Sequence, residues 1–250
     1  MSEPRPVREG RERAELVRLE HELGSAPIRD LFGFVERAFP DLLIVRRPMQ
    51  DGPVGALLQA GKRWVVVVNT WDAYLMRQRF TLSHEMGHLL TDSHEPLLVE
   101  HSLFGNGVVE MRANAFAAHF LLPVDVLNTR CRDRTFDPGS DESLVLLSME
   151  YGVSLTSLAW HLKNAGLVSD ARRRWMMTIK PFDVARRLGL NDRVQQELAA
   201  REVTRWPRRY VALATRAHDR GQISEAELNE MLGDELVRLL SEPLELLDES

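Results

Sequence analysis

Residues 79–90, Arg79-Phe80-Thr81-Leu82-Ser83-His84-Glu85-Met86-Gly87-His88-Leu89-Leu90, decide how the rest of the chain is read. Phe80, Leu82, Met86, Leu89 and Leu90 mark a helix buried on its apolar side. Residues four apart on a helix share one face roughly 6 Å apart. His84 and His88 can therefore offer converging ring nitrogens to a single metal ion at ~2.0–2.1 Å. Glu85 projects beside them, where it can take a proton from water at that ion. With 8 His and 22 Glu in 250 residues, the pattern His-Glu-any-any-His arises by chance ~0.02 times. Isolated core histidines explain it poorly. Mixed imidazole and carboxylate donors, tetrahedral with one open position, favour zinc.

One protein ligand is left to find. Downstream lie His94, Glu95, Glu100, His101, Glu110 and His119. The first four fall in a polar stretch from Thr91 to about Gly107, where a ligand carries an ordering cost. His94, six residues beyond His88, can reach back, but the longer zinc-protease pattern with a third His at the tenth position is absent. Glu110 is better placed, at the opening of a second helix expected over Val109–Leu122 and stopped by Pro123. As a bare structural feature it is an acid favoured at a helix N-terminus. Asn114 shares its face one turn on, where its amide can accept from the back nitrogen of His84 or His88 and fix a tautomer.

These stretches together carry a resemblance. Arg79–Leu90, then Glu110-Met111-Arg112-Ala113-Asn114-Ala115-Phe116-Ala117-Ala118, then Leu121-Leu122-Pro123, resemble the ImmA/IrrE family of zinc metallopeptidases. Val67-Val68-Asn69 upstream, and more faintly Tyr151-Gly152-Val153-Ser154 with Leu158–Leu167 downstream, extend it over roughly residues 28 to 168. The resemblance implies a zincin-like fold, His84, His88 and Glu110 as zinc ligands, and Glu85 as general base. It also implies cleavage of, or partnership with, a helix-turn-helix repressor or antitoxin in stress-response, mobile-element or toxin–antitoxin circuits. Residues 1–27 are too short for such a repressor domain, so the partner is expected as a separate chain. In the implied mechanism the oxyanion is held by zinc plus one more donor, for which His94, His101, His119 and Tyr74 are candidates. The strand Arg63–Asn69 is a candidate template for an extended substrate peptide, or an ordinary core strand.

Composition bounds the remainder. The chain is 44% hydrophobic and 28% charged, which fits a folded protein rather than wholesale disorder. No apolar run approaches the ~20 residues of a membrane span. The charged opening MSEPRPVREGRERAELVRLE lacks the apolar core of a secretory signal, and the one cysteine, Cys131, forms no internal disulfide. A cytoplasmic protein is expected. Helices are expected at Ile28–Phe39, Glu142–Tyr151, Leu155–Ala165, Arg208–Asp219 and Ser224–Leu240, with strands at Leu42–Val45 and Arg63–Asn69. Strands cluster before residue 70 and helices follow, so the class is α+β with a small antiparallel sheet. The expected division is a charged arm (1–24), a zincin-like core (25–135), a helix-turn-helix-like segment (136–178) and a helical C-terminal region (179–250).

Two other function classes compete. Leu144–Leu167 resembles a helix-turn-helix whose second helix carries Thr156, Ser157, Trp160, His161 and Lys163, with Arg172, Arg173 and Arg174 close behind, so 144–174 is a candidate DNA-binding segment. That second helix is short of the Arg, Asn and Gln that read bases best, and the net charge of -5 argues weakly the same way. The other competitor is a regulatory or toxin–antitoxin component that binds protein and leaves its zinc site unused for proteolysis. Residues 171–220 carry a formal +8 and residues 221–250 a formal -8, blocks that solvate helix surfaces or attract one another.

Overall fold

The computed structural model describes residues 3–91, the backbone of 97–100, and residues 107–233. The chain forms two units, Met1–Thr204 and Arg205–Ser250. The segments expected as arm, core and helix-turn-helix-like piece share the first.

Helix α1 (Arg5–Glu20) starts behind Pro4 and buries Gly10, Ala14, Val17 and Arg18. Its Arg18 is enclosed and donates to the carbonyls of Gly24, Ala26 and Phe120. Those acceptors make burial of a guanidinium tolerable. Helix α2 (Leu31–Ala38) is capped by Asp30, whose Oδ1 accepts from the Gly33 N–H at 3.0 Å. Strands β1 (Leu42–Arg47), β2 (Gly55–Ala60) and β3 (Arg63–Asn69) follow. Gly61, at φ +63°, begins the two-residue turn of the β2–β3 hairpin, as the right-handed strand twist requires.

The sheet is mixed, correcting the antiparallel expectation. With β4 (Leu97–Glu100), its order is β1-β3-β2-β4, and β1 pairs parallel to β3 while both other pairings are antiparallel. The cause is the crossing at residues 48–54, which carries the chain past the end of β3 before the hairpin returns it to the middle. Asn69 ties that crossing down. Its Oδ1 accepts from the Met49 and Trp71 N–H groups, and its Nδ2 donates to the carbonyls of Met49 and Pro53. All four hydrogen-bonding positions of the amide are used. Because β3 lies between β1 and β2, both its edges are occupied, so of its two readings from sequence the core strand holds and the substrate template does not. β4 also falls inside the stretch expected to be loop.

Helix α3 (Leu75–Thr91) packs on β2, β3 and helix α4 (Val108–Leu121). It begins four residues before the expected start. Short α5 (Val124–Arg132) leads to the pair α6 (Asp141–Tyr151) and α7 (Leu155–Asn164). Gly152 ends α6 in the left-handed conformation at φ +62° and Ser154 caps α7. Arg79 of α3, itself buried, donates to the carbonyls of Gly152, Arg29, Ile28 and Tyr151, tying two segments to that helix. Phe116, Phe120, Leu121 and Leu122 are wholly inside, each contributing roughly 1.5–3 kcal/mol through burial.

Helices α8 (Asp170–Met176), α9 (Pro181–Arg187) and α10 (Asn191–Ala199) complete the unit. Glu197 of α10 accepts from the Met76 N–H at 2.8 Å, placing a carboxylate at the N-terminus of α3. Burial pushes that carboxyl above its usual range. Gln78 donates to the Ala200 carbonyl, and Thr70 hydrogen-bonds to residues 202 and 203. The C-terminal end of the unit thus grips the start of the helix that carries His84 and His88.

In the second unit α11 (Arg208–Asp219) and α12 (Glu225–Leu232) enclose Ala214, Leu228 and Leu232. Ser224 and Glu227 form a reciprocal capping box, and Trp206 Nε1 donates to the Leu232 carbonyl. The helix expected to reach Leu240 stops at Leu232 before Gly233, which takes φ +86°, and residues 234–240 lie outside the described residues.

Candidate metal centre

Gly87 makes the site's geometry available. A Cβ there would stand 2.9 Å from Ala113 Cα and 3.1 Å from its carbonyl oxygen, so α3 and α4 touch backbone to backbone. Ala113 is itself fully buried. Glu110 lies three residues before Ala113 and Asn114 one after, so the helical period turns both toward α3. From behind, α1 presses on α4: a Cβ at Gly10 would overlap the Arg112 carbonyl and stand 2.9 Å from the Phe116 nitrogen. Small residues on both sides fix where the Glu110 carboxylate sits.

Three donors converge. His84 Nε2 and His88 Nε2 stand 2.9 Å apart. Glu110 Oε2 is 3.2 Å from the first and its Oε1 3.3 Å from the second. Donors held at ~2.0–2.1 Å by a tetrahedral ion stand about 3.3 Å from one another, so the spacing is that of a metal's edge. Both histidines are enclosed, while the Glu110 side chain is 21% exposed.

His84 Nδ1 lies 3.1 Å from Asn114 Oδ1, an oxygen that can only accept. That contact calls for the proton on Nδ1, and a neutral ring so protonated turns its Nε2 lone pair toward Glu110. Burial works to raise the Glu110 carboxyl, but His84 and His88 outweigh it and hold the group below the usual carboxylate range. An ionised carboxylate and two imidazole Nε2 atoms thus crowd round one point. Among the described residues Glu110 Oε2 has no hydrogen-bond partner. A divalent cation meets that demand, and imidazole with carboxylate is a donor set that zinc takes. His84, His88 and Glu110 are also the one group of three metal-binding side chains found among the described residues.

Glu85 is fully buried on the same helix. Its carboxylate lies against Gly55, at the first position of β2. Register carries that point outward, since Gly55 pairs with Val68 on one side and Glu100 on the other.

The remaining candidates separate. Tyr74 precedes α3, ten residues before His84, or about 15 Å along the axis. Its ring packs on Phe182 at 4.8 Å, so it is removed from the oxyanion candidates. His119 is nine residues from Glu110, half a revolution away on the far face of α4. It packs on His161 and is removed too. His94, Glu95 and His101 lie outside the described residues, as does the Glu100 side chain. In α7, His161 turns inward to the Leu122 carbonyl at 2.9 Å and Lys163 sits 2.8 Å from Asp170. Arg173 and Arg174 also pair with Asp170. The cations expected to meet DNA already have partners.

Two positions escaped the reading of the sequence. Gly55 was not placed in a strand, although an isolated glycine in one signals close approach of another group. Asn69 ends a strand in the sequence pattern, and nothing local there signals its four side-chain hydrogen bonds.

Residues 40–163 match the model of Peptidase_M78, described as the IrrE N-terminal-like domain. No curated protein matches the chain.

Proposed function

The chain belongs to the Peptidase_M78 family through residues 40–163, and from that membership and the converging donors we propose a zinc-dependent endopeptidase that cleaves a specific partner protein. The family points to a metallopeptidase, and the observation that carries the finer reading is the convergence of His84, His88 and Glu110, with the buried Glu85 next to His84 in the same helix. No helix among the described residues is long and apolar enough to cross a membrane.

His84, His88 and Glu110 would hold the ion, and Asn114 keeps the His84 proton on Nδ1 so that Nε2 stays a donor. Zinc so bound supplies Lewis acidity, polarising a carbonyl and lowering the pKa of water at the site toward ~7. Glu85 then takes the proton of the attacking water and passes it to the leaving amine. Its burial strengthens that exchange, because bulk water does not compete for the carboxylate. The sheet edge suited to an extended substrate is β4, which lies beyond β2 and pairs with it through Gly55, the residue against Glu85.

The substrate class we favour is a helix-turn-helix repressor or antitoxin. Glu85→Gln tests the chemistry. It should keep stoichiometric zinc and lose cleavage of a repressor encoded beside this chain, read by gel and mass spectrometry. Cleavage at the parent rate would move the base elsewhere. Equal regulatory effect of parent and Glu85→Gln in cells would favour action by binding rather than proteolysis.

A further inference from the structure

Gly55 stands where a strand would ordinarily carry a side chain. Its φ lies outside the left-handed region, so the backbone does not require glycine there. Space does. A Cβ at this position would overlap Glu85 Oε1, stand 3.2 Å from Glu85 Cδ and lie 2.7 Å from Thr81 Cγ2. Thr81 and Glu85, one helical turn apart, are both fully enclosed, so neither can swing into solvent to make room. A glycine inside a strand costs stability for want of packing and order. Here the vacancy is filled by a carboxylate.

We propose that Gly55 is a positioning residue for the Glu85 carboxylate, held in place by Asn69. The strand begins at Gly55, directly after the crossing that Asn69 fastens through Met49 and Pro53. Val54 is fixed as well, its carbonyl accepting from the Asn69 N–H at 3.0 Å. Three side-chain hydrogen bonds of Asn69 and its backbone N–H thereby set the height of the floor on which the proton-transferring group rests. None of His84, His88 and Glu110 is among the atoms nearest a Cβ at Gly55, so seat and metal site are separable. The proposal rests on Glu85 acting as the base.

Adding the Gly55 methyl creates two overlaps, and removing the Thr81 methyl relieves one of them. In Gly55→Ala/Thr81→Ser the overlap with Thr81 is gone and the overlap with the carboxylate remains. Zinc-loaded full-length chains would be titrated calorimetrically with acetohydroxamate, a metal chelator whose acidic proton a neighbouring carboxylate accepts. The double variant should recover the thermal stability lost in Gly55→Ala and keep one zinc per chain, yet bind the hydroxamate roughly tenfold or more weakly than the parent. Glu85→Gln should weaken binding similarly, and Thr81→Ser alone should match the parent. Parent-like hydroxamate binding by the double variant overturns the role of Gly55 and leaves Glu85 as base. Parent-like binding by Glu85→Gln overturns both. Loss of zinc, or failure to recover stability, shows that Gly55 supports the fold at large rather than the carboxylate.

Discussion

Helix α4 lies between two pairs of buried histidines that are nearly alike as rings and opposite in chemistry. His84 and His88 have centroids 4.6 Å apart with planes at 81°; His119 and His161 have centroids 4.6 Å apart at 87°. The first pair presents two Nε2 atoms to each other and to an ionised carboxylate. In the second, His161 spends its Nε2 proton on the Leu122 carbonyl. Burial drives His161 down to about 4 and His119 to about 2, with the charges of His161 and Arg11 adding to the latter. Proximity of imidazoles is thus not a metal site. A facing anion and a tautomer fixed from behind make it one.

Removing the anion should separate the pairs most sharply. Glu110→Ala is expected to weaken zinc binding at least about a hundredfold, since the binding free energy of such sites is shared among few ligands. His119→Ala should leave zinc affinity at the parent value. Competition with a chromophoric chelator measures both, and equal losses would mean the pairs were wrongly distinguished. The converse holds for stability. His161→Ala opens a cavity and orphans the Leu122 carbonyl, costing about 2–4 kcal/mol in chemical denaturation with zinc stoichiometry unchanged.

A smaller effect tests the tautomer. Asn114→Ala removes the acceptor behind His84 and should cost ~10–100-fold in zinc affinity. If affinity is unchanged, the amide does not set which nitrogen is bare.

The gentlest test is pH. Burial depresses both His119 and His161, so below about pH 6.5 the unfolded chain takes up protons that the folded chain refuses. The stability these groups lend is complete above that pH. It falls as pH drops toward about 4 for His161 and about 2 for His119, by ~1.4 kcal/mol per pH unit for each. Urea midpoints of zinc-free chains between pH 5 and 6.5 should slope upward with pH, and His119→Phe should remove about half of that slope.

Much of this arrangement could be read from the sequence, and the failures have identifiable causes. The β-branched run Trp64–Val68 and the helical periods of 79–90 and 109–122 agree with local propensity, and the structure has those elements. β2 went unread because Gly55-Ala-Leu-Leu-Gln-Ala has no β-branched residue; pairing with β3 on one side and β4 on the other makes it a strand. With β2 missing, the parallel pairing of β1 and β3 was invisible. His119 could have been set aside from periodicity alone, since nine residues turn a helix by half a revolution. The seating of Glu85 on Gly55 joins residues thirty apart across a sheet–helix contact, and no local pattern encodes it.

The most direct measurement is an anomalous difference map at the zinc edge from crystals of the full chain. A single peak is expected between His84 Nε2, His88 Nε2 and the Glu110 carboxylate, with no density between His119 and His161. An empty first site, or a peak at the second pair, would contradict the assignment on which the peptidase reading stands.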